Sequence, residues 1–451
     1  MASAFSVRRF TKATPFVSAI TSCAFRINNP KPPQPVRWSS RVAAFILAAT
    51  HFSAASELDA SWSSASTHAL PSGVKSALIL RDDEPLYRFP SPQAPRRGTA
   101  ARGAHLPVFE AVRADGCAGN WLSVGPMAWV CDEVVRLSEH EALPARRAPP
   151  PLEDGLPLRY FFVGDDGTFG YRHFSTAEQS APDAQLEPGF AVAITELRAH
   201  VPGDPFGLTT QNLWLPMRDL RAARPSPFRG IHAPEPSDAW VVRDDVRARS
   251  GPAAPARGPA YPRLSRVKIL ETQTRAGQRW YRIEGDHWLG ERDLALRTQG
   301  PLPSGIGAGE HWIDVDLAAQ VLTAYEGELP VFATLISSGR GRGTAENATP
   351  TGEYRVWVKL RTSDMDNLED AEASRYYAIQ SVPWVMYFKK GYGLHGAFWH
   401  DDFGRVRSHG CVNLSPADAH WLFFWSAPHL PAGWTAVFPT RYERGTLVRV
   451  R

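Results

Sequence analysis

Strong charge is missing from this chain: 50 Lys and Arg stand against 46 Asp and Glu, a formal net charge of +4 over 451 residues. That balance makes no case for nucleic acid as a partner, although a mildly basic protein tolerates an anionic cell wall. No internal run approaches the roughly 20 apolar residues of a membrane-spanning helix, so no stable membrane span is expected. Charged residues make up only 21% of the whole, while hydrophobic residues reach 43% with 15 Trp. Such a composition excludes a disordered chain and indicates several folded, aromatic-rich domains.

Cysteine is also scarce, and its four positions are informative. Cys23 falls in a stretch that reads as an address. Arg37 and Arg41, the apolar run Val42 to Ala49, then Ser53-Ala54-Ala55 give basic, apolar and small-residue zones in signal-peptide order. Thirty-six residues precede it, with Pro30, Pro33 and Pro35 among them. An over-long start accounts for them; Arg8-Arg9 as a twin-arginine signal and Ile20-Thr21-Ser22-Cys23 as a lipoprotein site are the alternatives. Export to the periplasm or cell envelope is expected. Cys117 and Cys131 lie close together in one small module, which in an exported protein suggests a disulfide, two buried thiols being the alternative. Cys411 is left unpaired, and an odd thiol in an oxidising compartment points to a thiol in use.

Cys411 stands in Ser408-His409-Gly410-Cys411-Val412-Asn413, with a second histidine upstream in His395-Gly396-Ala397-Phe398-Trp399. If the segment is extended, side chains two apart share a side, which brings His409 to Cys411. A thiol at its ordinary pKa is only a few per cent ionised near neutrality, and an adjacent imidazole supplies the base. Gly410 clears space for substrate, and the backbone N–H groups around Gly410 and Cys411 suit an oxyanion hole. Zinc on His395, His409 and Cys411 is the competing chemistry. His400, Asp401 and Asp402 are nearby, but no fourth ligand stands out, so no metal and no cofactor are expected.

These runs, with Ser415-Pro416-Ala417-Asp418-Ala419-His420-Trp421-Leu422-Phe423 after them, resemble the catalytic signature of the L,D-transpeptidases, the YkuD-type domain. Trp312 to Asp316, Gln320-Val321-Leu322, Ser337-Ser338-Gly339 and Thr349-Pro350-Thr351-Gly352-Glu353 fit the same domain upstream, from about residue 309 to the end. The resemblance implies a mainly β fold, a two-sheet sandwich with short helices. It also implies peptidoglycan stem peptides as partners: a thiolate attacks the carbonyl of the third residue of a tetrapeptide, expels D-alanine and passes the acyl group to an amine. A carbapenem would then be a covalent inhibitor. On this reading Cys411 is the nucleophile and His409 its base. Ser408 orients His409 or is a solvated turn residue, and His395, Gly396 and Trp399 line the pocket. Asn413 stands where many members carry Arg. Trimming of stem peptides by a carboxypeptidase, and wall binding without catalysis, are the alternatives. The acidic run Asp364 to Glu372 falls where related domains carry a lid; it either attracts the ammonium of a diamino acid or is a solvated loop. Ser415 as N-cap and Pro416 in the first turn start a helix that buries most of Trp421, Leu422, Phe424 and Trp425.

Ahead of that domain an internal repeat is legible. Ala77 to Asp83 reappears as Ala239 to Asp245, and Trp121/Trp129 share their spacing with Trp280/Trp288. Short apolar runs between Gly, Pro and Asp read as strands joined by turns, and the units resemble bacterial SH3-like barrels. Core packing is the expected role of Trp129, Trp214 and Trp288. The organisation expected is a leader and linker over 1–75, an SH3-like module over 76–150, a vaguer β module over 151–230, an SH3-like module over 231–302 and the catalytic domain over 309–451. Pro144 to Pro151 and Gly300 to Gly309 read as linkers, and Gly251 to Pro262 as a linker or a loop inside the third unit.

Overall fold

The computed structural model describes residues 66–142, 152, 154–199, 203–341, 343, 345, 347–368 and 376–451. Residues 1–65 of the expected leader, the 144–151 linker and lid residues 369–372 lie outside them. The described residues fall into two compact units. No helix among them is long and apolar enough to cross a membrane.

The smaller unit takes in the described residues up to Arg96 and those from Arg102 to 142. Glu110–Arg113, Trp121–Gly125 and Ala128–Cys131 form an antiparallel meander, extended by Ser66–His68. Ser76–Ile79 pairs with both His105–Pro107 and Val135–Ser138. Trp121 and Trp129 are buried with Val112, beside the Cys117–Cys131 disulfide, which forms as the sequence suggests.

The larger unit comprises Arg97–Ala101 and everything described from Leu152 onward. Its C-terminal part holds two sheets. The first contains β1 (His311–Asp316), β2 (Val321–Glu326), β3 (Leu329–Leu335), β4 (Gly352–Arg355) and β10 (Leu447–Val450), in the order β3-β2-β1-β10-β4, with Ile231–His232 along the edge of β3. The second runs β9 (Trp434–Val437), β5 (Val358–Asp366), β6 (Ala378–Lys389), β7 (Tyr392–Gly396) and β8 (Val412–Leu414). Period-two alternation explains how each strand is used. Ile313 and Val315 of β1, Leu322 and Ala324 of β2, and Val448 and Val450 of β10 enter one core with Met386, Leu394, Val412 and Leu414. On the opposite face of the first sheet, Trp312 stacks on Tyr325 at 4.3 Å and Asp314 pairs with Arg449 at 2.7 Å.

One α-helix, α1 (Pro416–Trp425), is present among the described residues, and Ser415 caps it by accepting from Asp418 N. It buries Ala419, Leu422 and Phe423 in the core, while Trp421, Phe424 and Trp425 are only half-buried. At its far end the buried Lys359 donates to the carbonyls of Phe423 and Ser426. Burial pushes the Lys359 ammonium down to about 7, against which these acceptors and the negative helix end hold its proton.

Two smaller sheets precede this sandwich within the same unit. In one, Ala191–Ala199 lies between Arg159–Val163 and Pro205–Thr209, and Ala191 pairs with Ile379 of β6. Tyr160 Oη donates to Ser381 O at 2.5 Å, and Trp384 Nε1 to Gly155 O at 2.7 Å. The other sheet is five-stranded and built around Asp238–Val241, Arg266–Arg275 and Gln278–Ile283. Gly251 to Pro262 is a loop inside it, since Ala260–Tyr261 pairs back onto Val246–Arg247. Trp214 and Trp288 are buried, as core residues should be.

Candidate active site

The site is built where β7 and β8 run parallel, an arrangement that brings two distant stretches of chain side by side. Their register sets Leu394 against Val412, His395 against Asn413 and Gly396 against Leu414. Leu394, Val412 and Leu414 belong to the core between the sheets. Alternation therefore turns His395 and Asn413 to the other face, together with Cys411 one step before the strand. Cys411 packs there among Val358, Met365, Val382, Val385 and Tyr387, with Trp399 against the cluster, and the His395 ring lies 5.8 Å from that of Trp399.

His395 is 2% exposed. Its Nδ1 lies 3.1 Å from Gly396 O. A carbonyl only accepts, so Nδ1 carries the proton and Nε2 keeps a lone pair. Burial pushes this imidazole down to about 4, which leaves it neutral across the physiological range. Cys411 is 1% exposed, with Sγ 3.7 Å from Gly391 O.

Ser408, Gly410 and their neighbours form a braced turn. Gly410 has φ 127°, and a Cβ there would stand 2.6 Å from the Tyr392 ring. The tripeptide His409-Gly410-Cys411 therefore bends, and the alternation that would put His409 beside Cys411 does not hold. His409 is exposed, its ring stacked on Tyr377 at 5.5 Å. Ser408 is buried, so it is no solvated turn serine. Its hydroxyl donates to Cys411 O at 2.5 Å and accepts from Gly410 N at 3.0 Å, and its carbonyl takes Arg340 N–H. These bonds commit Ser408 to the turn rather than to His409. They also use the Gly410 N–H, which is thereby withdrawn from any oxyanion hole.

Residues with no role in the sequence reading hold this turn from behind. Ser337 exchanges backbone bonds with Asn413, and Arg407 and Ser408 both donate to Ser338 O. Thr349 Oγ1 accepts from Gly339 N at 2.9 Å and donates to Gly410 O at 2.8 Å. A Cβ on Gly339 would meet Asn347 O at 2.2 Å. The spaced Ser-Ser-Gly and Thr-Pro-Thr-Gly motifs thus converge on the cysteine turn, which is the structural content of their co-occurrence.

The family model of the L,D-transpeptidase catalytic domain, YkuD, matches residues 310–450. Residues 310–450 are an L,D-transpeptidase catalytic domain. Among solved structures, an L,D-transpeptidase of Xylanimonas cellulosilytica is 23% identical, covering 34% of this chain and 65% of that one at a TM-score of 0.23. One of Enterococcus faecium is 24% identical over 32% of this chain and 50% of its own, at 0.24. L,D-transpeptidase 1 of Mycobacterium tuberculosis is 19% identical over 37% and 76%, at 0.23. The match spans less than two thirds of the first two chains. No curated protein matches the chain.

Two further expectations meet the structure of the L,D-transpeptidase domain differently. The sequence reading leaves Cys411 unpaired; among the described residues no cysteine is free, and Cys411 is disulfide-bonded. Thiol chemistry at this site is that of the reduced form. In the acidic run, Asp364 is committed to the protein, accepting from Ser381 N at 2.7 Å and Gln211 Nε2 at 3.0 Å. Asn367 and Tyr377 close the neck of the run by bonding each other across it. Burial pushes the Tyr377 phenol up to about 12, so it stays protonated above His409.

Proposed function

We propose that the L,D-transpeptidase domain acts on peptidoglycan stem peptides through Cys411, with His395 as the base. The observation that carries this reading is the shared face: a buried thiol position and a buried, neutral imidazole whose Nδ1–H is spent on Gly396 O, leaving Nε2 to take a proton. The Cys411 proton passes to Nε2 and the sulfur attacks the carbonyl of the third stem residue. The bond to D-alanine breaks, and the imidazolium returns the proton to the departing amine. An amine of a second stem then attacks the thioester, restores the thiol and closes the new amide. His409, exposed on Tyr377, sits at the rim and is not the base on this account. Similar solved structures include an L,D-transpeptidase in complex with imipenem, which supports a carbapenem as a covalent ligand of Cys411. The chemistry needs no metal.

The test is to incubate the reduced full-length chain with a purified disaccharide-tetrapeptide. Free D-alanine together with a cross-linked dimer is expected. D-alanine with tripeptide alone would move the reading to carboxypeptidase action. Release of no D-alanine would refute acyl transfer at this site.

A further inference from the structure

We propose that His400 is a positioning residue that turns the Asn413 amide so that its NH2 group faces the acyl donor and donates to one of its oxygens. The inference rests on the acyl-transfer reading above and names a group that serves it.

The His400 ring makes a contact through each of its nitrogens. Its Nδ1 lies 3.1 Å from Asp402 N. A backbone N–H only donates, so Nδ1 carries a lone pair. Burial pushes this imidazole down to about 3 and keeps it neutral, so the single ring proton is on Nε2. Nε2 is 2.9 Å from the terminal amide of Asn413. With the amide nitrogen toward the ring, two donors would face each other. The amide is therefore turned with Oδ1 accepting from Nε2–H, an assignment that hydrogen bonding decides because O and N are otherwise alike. The second terminal atom of Asn413 is buried without a protein partner, in a residue only 3% exposed. Once the amide is turned, that atom is the NH2. An orphaned buried donor is costly to the folded protein, and this one stands two residues from Cys411, opposite His395, on the face where the acyl donor must lie.

His400 can set the amide only if its own loop is fixed, and both ends of that loop are clamped. Phe398 stacks on Tyr160 at 4.1 Å. Phe403 is fully buried with Phe228, Trp240 and Leu335. Arg263 donates to Asp401 O at 2.8 Å and pairs with the Asp401 carboxylate at 3.0 Å. Tyr160 and Trp240 come from the two sheets ahead of the L,D-transpeptidase domain, and Arg263 from the turn that leads into Arg266–Arg275. Those sheets thereby contribute to the geometry of the site.

The experiment uses the reduced full-length chain and two readouts: nitrogen NMR of the His400 ring in the resting protein, and the rate at which Cys411 gains a carbapenem. The Nε2-protonated tautomer is expected. His400→Gln, whose amide N–H reaches where Nε2 was, should stay within about threefold of the parent rate. His400→Asn keeps only the Asp402 contact and should fall about tenfold or more. Asn413→Asp, which puts an oxygen where the NH2 stood, should fall comparably, and the two losses should not add. An Nδ1-protonated ring, an unaffected His400→Asn, or equal losses in the Gln and Asn variants would overturn the proposal. If the parent chain never gains the carbapenem, the acyl-transfer reading fails, while the tautomer still decides the orientation of the amide.

Discussion

Replacing Cys411 by alanine is expected to abolish D-alanine release and dimer formation while leaving the fold in place. In the reduced chain the side chain lost is small and its cluster of Val358, Val382 and Val385 stays packed, so the folded protein loses little. The reaction, however, loses its only covalent path. Removal of a nucleophile typically lowers kcat by about four to six orders of magnitude. Turnover by Cys411→Ala, checked for folding by circular dichroism, within about a hundredfold of the parent would eliminate the thioester mechanism.

The second large effect separates the two histidines. His395→Gln should cost about two to four orders of magnitude in the rate of Cys411 acylation, the usual worth of a positioned base. His409→Gln should cost far less. The pH profile carries the same distinction with its sign fixed. The folded-state pKa of His395 lies near 4, so the neutral base is present above that value and is lost as pH falls through it. Acylation should hold steady from pH 7 down to about 5 and drop only toward 4. A loss of rate in His409→Gln as large as that in His395→Gln would return the base assignment to His409.

Part of the fold was legible because its signals are local. The Ser415 cap and the short Cys117–Cys131 spacing each depend on a few neighbouring residues, and each is realised. The base proposed here was not legible in the same way. Adjacency of His409 and Cys411 in sequence implies proximity only for an extended chain, and Gly410 at φ 127° breaks that premise. The evidence for His395 is non-local: a parallel strand pair joining residues 394–396 to 412–414, and a hydrogen bond to its own neighbour's carbonyl. One sequence signal was available, since a buried histidine followed by glycine on a strand has few polar partners besides backbone. The supporting roles of Thr349, Gly339 and Arg263 were hidden for the same reason, each acting on residues at least ten positions away. Phe423, rather than Trp421 or Trp425, fills the core because the helical stripe facing the sheets falls on Ala419, Leu422 and Phe423.

The claim on which the rest depends is that Cys411 is an activated thiol once reduced. The most direct measurement is the intact mass of the reduced full-length chain after exposure to a carbapenem, followed by peptide mapping. The account predicts one adduct per chain on the peptide that contains Cys411, and none on Cys411→Ala. An unmodified parent chain, or an adduct that persists in Cys411→Ala, would contradict it.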